Sequence, residues 1–239
     1  MAVVVEWTKA LTLGKETAEF IFIETGKDVS GYSEDANHKK LNEEGDLWEV
    51  LDDNVLHIQT PANKINSSLE GMFSGYVSVK SFTGLQYIHA TTAEDMFMSC
   101  SALTLYISYT DFNTEDITDM SNMFSGCENL REIDLPKFNT AKVTNMSGMF
   151  TACKKLVNID LSSFNTKNVT DMNSMFNGCA ALEGLTLSDN FKVAGVKTNM
   201  FTDCGSSDDG CTVYGVGDTQ IQNDLKTDTG WDDSKMHFL

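Results

Sequence analysis

The segment that decides the fold is residues 143–166, which read VTNMSGMFTACKKLVNIDLSSFNT. Apolar residues in its first half are spaced at i, i+3, i+4 and i+7: Met146, Met149, Phe150 and Cys153. That spacing forms one apolar stripe on a short helix. Its second half, LVNIDL, alternates in the manner of a strand with one buried face. The segment therefore predicts a short helix followed by a short strand.

Nearly the same text appears before and after this segment, so the chain contains an internal repeat. A Met-Phe pair recurs at steps of 24 to 27 residues, beginning at positions 72, 96, 123, 149, 175 and 200. Three residues after each of the last five phenylalanines comes a cysteine, and Tyr76 takes that place in the first copy. One unit of this length cannot bury its own apolar side, so the repeat predicts a stack of units.

The spacing of strands and helices predicts the shape of that stack. Stacked strands lie about 4.8 Å apart, whereas packed helices need about 8–10 Å. A coil with strands on one side and helices on the other must therefore curve. The predicted fold class is α/β, a curved leucine-rich-repeat solenoid with parallel strands on the concave side and short helices on the convex side, plus a small β-rich N-terminal cap.

The repeated text also resembles a known family. The units VTNMSGMF, SGCENLREIDL and FNTKNVTDM resemble the BspA-like leucine-rich repeats of bacterial surface proteins, over about residues 70–205. CTVYGVGDTQIQNDLKTDTGW is similar to the closing strand and helix of that family, and GDLWEVLDDNVLHI to the hairpin that often precedes the repeats. The resemblance implies an adhesion or interaction protein at the cell surface or outside the cell. The signal peptide and anchor usual in that family are not visible here, so a virion or cytoplasmic location stays open.

Three parts of the chain are expected: residues 1–70, a β-rich N-terminal cap or attachment domain; 71–205, the repeats; and 206–239, a C-terminal cap. AEFIFIE and LWEVLDDNVLHIQT predict strands before the repeats, the second a hairpin turning near Asp53. Residues 1–70 either cap the first unit or attach the repeats to something larger. At the other end TVYGV predicts a final strand, and Ile221, Leu225 and Trp231 are expected to cover the last unit.

Composition and charge exclude several functional classes. The net charge is −18, from 35 acidic and 17 basic residues, whereas binding to nucleic acid or anionic membrane needs Lys and Arg. No run of 18 apolar residues exists, so membrane insertion is not expected. The four histidines fit no metal or triad spacing, and no phosphate-binding glycine loop is present. We therefore expect no enzyme, no cofactor and no metal site.

The six cysteines predict buried thiols. Five occupy the same place in successive units, where neighbours lie about one strand spacing apart, slightly too far for a disulfide. No Cys-x-x-Cys pair indicates zinc. Cys204 and Cys211, in a Gly/Ser/Asp-rich loop, leave a disulfide open in an oxidising compartment.

The predicted binding surface is the concave side, where strand residues between the core positions point. The residues expected to contact a partner are Ser81, Thr83, Tyr106, Ser108, Glu132, Asp134, Asn158, Asp160 and Thr186. Most are small or acidic, so they favour a partner with Lys or Arg, or a polar glycan. An ordinary solvated surface is the other interpretation.

Two functions follow from these observations. The first is a non-enzymatic protein-interaction or adhesion module, either a surface adhesin or a virion host-attachment protein, that binds a protein or glycan on its concave face. The alternative is an intracellular acidic inhibitor or nucleic-acid mimic that occupies a basic cleft. The oligomeric state does not follow from the sequence.

Overall fold

The structure is a computed structural model of the 239-residue chain. It describes residues 4–6, 11–18, 20–42, 47–60, 62, 64–66, 68–104, 112–133, 135, 138–188, 190–193, 195–205, 210–228 and 230–239.

The described residues form thirteen short strands, one α-helix and one 3-10 helix. In chain order they are β1 (Val4–Glu6), β2 (Phe20–Glu24), β3 (His38–Lys40), β4 (Trp48–Asp52), β5 (Val55–Gln59), β6 (Lys64–Asn66), β7 (Ser81–Thr83), the 3-10 helix (Leu85–Tyr87), β8 (Ile88–His89), β9 (Glu132–Ile133), β10 (Asn158–Asp160), β11 (Gly184–Thr186), β12 (Cys211–Tyr214), α1 (Thr219–Lys226) and β13 (Met236–Phe238).

These strands form three sheets among the described residues. The first is parallel, in the order β1-β6-β8. The second is mixed, in the order β3-β4-β5-β2-β7. The third is parallel, in the order β13-β12-β11-β10-β9, and contains the strands of the later repeat units. We call this third sheet the repeat sheet.

The repeat units stack in register. Ile159 of β10 pairs with Ile133 of β9 on one side and with Leu185 of β11 on the other, as the alternation in each unit predicts. All three side chains are at most 6% exposed. Each unit thus adds one strand to the sheet and one apolar residue to the core beneath it.

One phenylalanine from each unit forms a continuous buried ladder. Neighbouring rings lie nearly parallel, with centroids 5.3 to 5.8 Å apart, along Phe73, Phe97, Phe124, Phe150, Phe176 and Phe201. Every ring in the ladder is at most 1% exposed. Aromatic pairs of this kind add about 0.5–1.5 kcal/mol each beyond the area they bury, so the ladder is a major source of cohesion between units.

The predicted α/β class, a curved leucine-rich-repeat solenoid with short helices on its convex side, is wrong. Where those helices were expected the described residues form successive turns, and α1 lies after the repeats. Gly148 (φ +62°) and Ala152 (φ +57°) are left-handed within one unit, and Asn122 and Gly126 are left-handed within the unit before it. A right-handed helix cannot continue through such residues, even though the apolar spacing fits one.

The hydrogen bonds explain why turns replace helices. Thr151 N donates to Gly148 O at 2.9 Å within the unit, which closes a turn. Other backbone N–H groups of the same turns donate to the next unit instead. Phe124 N donates to Met149 O and Phe150 N to Met175 O, each at 2.9 Å. Such bonds, like the 5.3–5.8 Å ring spacing, require turns packed almost as closely as strands. Curvature was expected because packed helices need more room than stacked strands. The described turns pack closely, so that reason does not apply.

The Phe-Asn-Thr part of each unit closes it onto the next one. The buried Thr114 hydroxyl accepts the N–H of Asn139 at 2.7 Å and donates to the carbonyl of the same residue at 3.2 Å. Thr140 repeats this pair of bonds with Asn165, at 2.8 and 3.1 Å. One hydroxyl thus satisfies both backbone groups of a residue one unit further along.

The hairpin predicted before the repeats is confirmed. Strands β4 and β5 are antiparallel, and Asp53 in the turn is left-handed at φ +49°. On β4, Glu49 is 1% exposed and accepts the backbone N–H groups of Thr12 and Leu13, which holds the segment before β2 against the sheet. Strand β7, from the predicted repeat region, pairs with β2, so the mixed sheet crosses the expected boundary at residue 70.

An aspartate and a tryptophan end the stack. Asp228 is 6% exposed and accepts the N–H groups of Met200 and Phe201 at 3.1 and 3.2 Å. Its carboxylate thereby takes the place of the carbonyl that a further unit would offer to Phe201. The Trp231 ring packs edge-on against Phe201 with centroids 5.5 Å apart, so the ladder ends on an apolar cover, as expected of Trp231. The other two residues expected there, Ile221 and Leu225, are buried on α1.

Candidate functional site

The outer side of the repeat sheet brings residues from three repeat units and the C-terminal cap into two rows. Register places Glu132, Asn158, Gly184, Thr212 and His237 in one row across the five strands. The second row contains Asp160, Thr186 and Tyr214. We call these eight residues the strand face. On β10 and β12 the core residues alternate with them, so the face follows from the strand period. On β11 Gly184 points the same way but is itself buried.

The structure brings together only some of the predicted contact residues. Glu132, Asn158, Asp160 and Thr186 lie side by side on the strand face. Ser81 and Thr83 lie on β7, in the mixed sheet, and do not belong to this surface. The remaining three predicted residues lie outside the described residues: Tyr106, Ser108 and Asp134.

Three residues of the strand face were missed by the sequence analysis: Thr212, Tyr214 and His237. They lie on β12 and β13, which follow the last Met-Phe pair and carry no repeat. TVYGV was expected to form a strand, but its register with β11 depends on tertiary packing. The pairing of Thr186 with Tyr214 then places an aromatic ring in the same row as Asp160, with Thr186 between them.

A shallow pocket of about 240 Å³ opens in the strand face. Its described lining consists of Glu132, Ile133, Asn158, Ile159, Asp160, Gly184, Thr186 and Tyr214. Glu132, Asn158 and Asp160 are exposed, Tyr214 is 42% exposed, and the two isoleucines form the buried base. One carboxylate oxygen of Asp160 accepts the N–H of Ser162 at 2.8 Å, which holds that side chain in place.

The charge of the pocket has one sign. Two carboxylates line it, and none of its described lining residues is cationic. The chain as a whole has a net charge of −18, so the surrounding field reinforces that of the pocket. A recess lined by one sign of charge concentrates oppositely charged groups. The pocket therefore suits a cationic or hydrogen-bonding group and is unsuited to phosphate.

The thiol ladder is buried, as predicted, and is used for structure. The thiols of Cys127, Cys153 and Cys179 donate to the carbonyls of phenylalanines in the preceding units at 3.1 to 3.2 Å. Burial raises the pKa of Cys127 and Cys153 well above the ordinary value and that of Cys179 to about 12. Thiols held protonated in this way are poor nucleophiles and poor metal ligands.

The last two cysteines lie side by side and are free in this structure. The hydrogen bond to Cys211, together with burial, raises the pKa of the Cys204 thiol. Both side chains are buried. Oxidation of these two adjacent thiols would form the disulfide that the sequence analysis left open.

A second polar cluster lies on the mixed sheet. His57 Nδ1 is 2.8 Å from a carboxylate oxygen of Glu24, and the same oxygen accepts Gln59 Nε2 at 2.7 Å, while Lys27 lies 2.6 Å from the other oxygen. Although burial raises the pKa of Glu24, bonds from Lys27, Gln59 and His57 leave it below the ordinary value. The cluster satisfies itself, which explains it as a structural ion-pair network.

The described part of the chain has neither a metal-binding cluster nor a membrane-spanning helix. Within it, no three or more His, Cys, Asp or Glu side chains are grouped so that they could hold a metal ion. No helix there is both long enough and apolar enough to cross a bilayer.

Comparison with known proteins adds a family. A family model described as "Mycoplasma protein of unknown function, DUF285" matches residues 67–213, which is more than half of the chain. No curated protein and no solved structure has significant similarity to the chain. The matched range begins before the first Met-Phe pair and ends within β12, so it includes six of the eight residues of the strand face and leaves out Tyr214 and His237.

Proposed function

The chain belongs to the DUF285 family of unknown function, and we propose that it is a non-enzymatic interaction module that binds a protein partner through its strand face. One observation supports this most directly. The buried positions of the units are nearly identical, whereas the outward row across the repeat sheet contains five different residue types. In that row Glu132, Asn158 and His237 are exposed, Thr212 is half-buried and Gly184 is buried. Stacking leaves these positions free to differ, and a row of different polar groups is what recognition of a particular partner requires.

The kind of partner follows from the chemistry of the face. Two carboxylates, an amide, a hydroxyl and a partly exposed tyrosine surround one recess. Tyrosine is enriched at protein interfaces, where it combines a large apolar area with a polar end. The resemblance of the repeats to BspA-like surface repeats supports an adhesion or host-attachment role for such a face, either on a cell surface or on a virion.

The test compares two charge reversals of equal size. Glu132→Lys with Asp160→Lys changes the pocket, while Glu70→Lys with Glu115→Lys changes two exposed carboxylates outside the repeat sheet. Each double variant moves the net charge by +4, from −18 to −14. Both are immobilised beside the unchanged protein and presented with surface proteins and a glycan array at low salt.

We expect the pocket variant to lose its bound protein and the control variant to retain it. Equal retention by both variants contradicts the assignment of the strand face. Loss of a glycan instead of a protein contradicts the class of partner.

The alternative function, an acidic inhibitor or nucleic-acid mimic that occupies a basic cleft, is favoured by the net charge of −18. It predicts a different outcome in the same experiment. If charge spread over the whole surface drives binding, both double variants weaken binding to a basic protein by similar factors, and added salt removes it. A loss confined to the pocket variant argues for the interaction module.

A further inference from the structure

Gly184 shapes the strand-face pocket by lacking a side chain. The residues at the same place on the neighbouring strands are Asn158 and Thr212. A Cβ at Gly184 would lie 2.4 Å from Asn158 Oδ1 and 3.7 Å from Tyr214 Cε2. Its backbone is not left-handed, so glycine is not needed there for conformation. Glycine within a strand often marks a place where another group approaches closely, and here that group is the Asn158 amide, which lies over the buried Gly184 beside Tyr214.

The pocket over Gly184 and Asn158 has an aromatic ring at one end and acids at the other. Tyr214 leans diagonally from β12 toward Gly184 and remains 42% exposed. Asp160 and Glu132 lie on the far side, on β10 and β9. A planar cation can meet an aromatic ring at one surface and carboxylate oxygens at its edge.

We propose that this pocket binds the guanidinium group of one arginine side chain on the protein partner. The proposal rests on the proposed function and names the group that the strand face recognises. Arginine suits the site better than lysine because its planar fork pairs with carboxylates and stacks on aromatic rings. The pocket volume of about 240 Å³ is below the roughly 300–1,000 Å³ of small-molecule sites, which favours a single side chain over an oligosaccharide.

The probe is the peptide acetyl-Gly-Arg-Gly-amide, added to the ¹⁵N-labelled full chain in 0.15 M NaCl. We expect shifts that saturate and that centre on the backbone amides of Gly184, Thr186 and Thr212. The citrulline peptide has almost the same shape without the charge, and it should give no response at the same concentrations. The lysine peptide should bind at least threefold more weakly, since its ammonium group cannot donate two parallel hydrogen bonds to a carboxylate or stack flat on a ring.

Three variants locate the binding to the pocket. Gly184→Thr pushes the Asn158 amide into the pocket and crowds the Tyr214 ring, and it should abolish the response. Asp160→Asn should weaken binding about tenfold, as for loss of a hydrogen bond to a charged group. Tyr214→Leu should weaken it about threefold to fivefold, the scale of an exposed cation–π contact. Tyr214 is exposed, so its variant remains informative if Gly184→Thr fails to fold.

Several outcomes would overturn the proposal. One is an equal response to the citrulline peptide, and another is a full response in folded Gly184→Thr. A third is that methyl glycosides shift the same amides while the arginine peptide does not, which would make the pocket a glycan site. If the peptide does not bind but the Glu132/Asp160 reversal still loses its protein partner, the arginine assignment fails while the proposed function stands.

Discussion

The two sides of the repeat stack follow opposite rules. On the turn side, six units place phenylalanine in one ladder, with every ring at most 1% exposed. On the strand face, five neighbouring strands place five different residue types in one row. The same backbone repeat therefore supports a uniform interior and a varied exterior.

The difference arises from what each side must contact. A buried ring meets the ring of the next unit at 5.3–5.8 Å, so a change in one unit must be matched by its neighbours, because protein interiors are closely packed. A side chain on the strand face meets solvent and can change alone. Variation confined to one side indicates where recognition has room to develop.

The largest expected effect is loss of one ring from the ladder. Phe150 is fully buried between Phe124 and Phe176, so Phe150→Ala should lower the free energy of unfolding by roughly 3–5 kcal/mol. Urea denaturation followed by circular dichroism measures it. A loss below about 1 kcal/mol, the scale of surface changes, would show that the ladder does not hold the units together.

A pH-dependent effect should follow from the thiols. Burial raises the pKa of Cys100 and Cys179 to about 12, from an ordinary value of 9.0. Because the pKa is higher in the folded chain, the folded state is favoured while the thiols stay protonated. The stability that the protonated thiols contribute is complete below pH 9 and is lost as the pH rises toward 12. Each such thiol should change the free energy of unfolding by about 1.4 kcal/mol per pH unit in that window.

Urea titrations at pH 8, 9 and 10 check this expectation, with Cys179→Ala as the comparison. The free energy of unfolding of the variant should fall less steeply with pH than that of the unchanged protein, and the difference is the contribution of one thiol. If its slope equals that of the unchanged protein, Cys179 titrates alike in the folded and unfolded chains, and the thiol ladder is open to solvent.

A smaller effect distinguishes turns from helices on the turn side. Ala152 is left-handed at φ +57°, a conformation that costs a non-glycine residue about 1–2 kcal/mol. Ala152→Gly relieves this strain, but glycine also raises the conformational entropy of the unfolded chain, which offsets part of the gain. The net effect should be a stabilisation of about 0.5 kcal/mol. In a helix the same change would destabilise by about 1 kcal/mol.

Gly148→Ala is the matched control for that substitution. Gly148 is left-handed at φ +62°, and an added Cβ would lie 2.1 Å from Asn122 Oδ1, so the change should destabilise by roughly 1–2 kcal/mol. Opposite signs for the two variants in the same urea experiment are expected. The same sign for both would contradict the turn geometry.

The smallest effect is expected on the strand face. Asn158→Ala removes an exposed side chain beside Gly184, and the free energy of unfolding should change by less than about 0.5 kcal/mol. Thermal unfolding of this variant beside Phe150→Ala gives the comparison directly. A loss of several kcal/mol would mean that Asn158 is part of the scaffold and that the two sides do not follow different rules.

Local pattern was sufficient for much of the architecture. The period located the units, the alternation placed Ile133, Ile159 and Leu185 in register, and the sequence around Asp53 predicted the hairpin. It also placed Glu132 and Asp160 on one exposed surface. These features depend on neighbours within one unit or on identical positions in adjacent units, which the text of the repeat contains.

The sequence by itself thus determined that the chain is a stack of units with a buried Met, Phe and Cys side and an exposed polar side. Only the tertiary structure decided that the apolar stripe is made of turns, because the backbone N–H groups of Phe124 and Phe150 bond to the next unit. It also decided that Tyr214 lies next to Thr186 and Gly184 and lines one pocket with Asp160, since the register of β12 comes from packing of the C-terminal cap. Periodicity records which residues are buried, whereas hydrogen bonds between units choose the backbone that buries them.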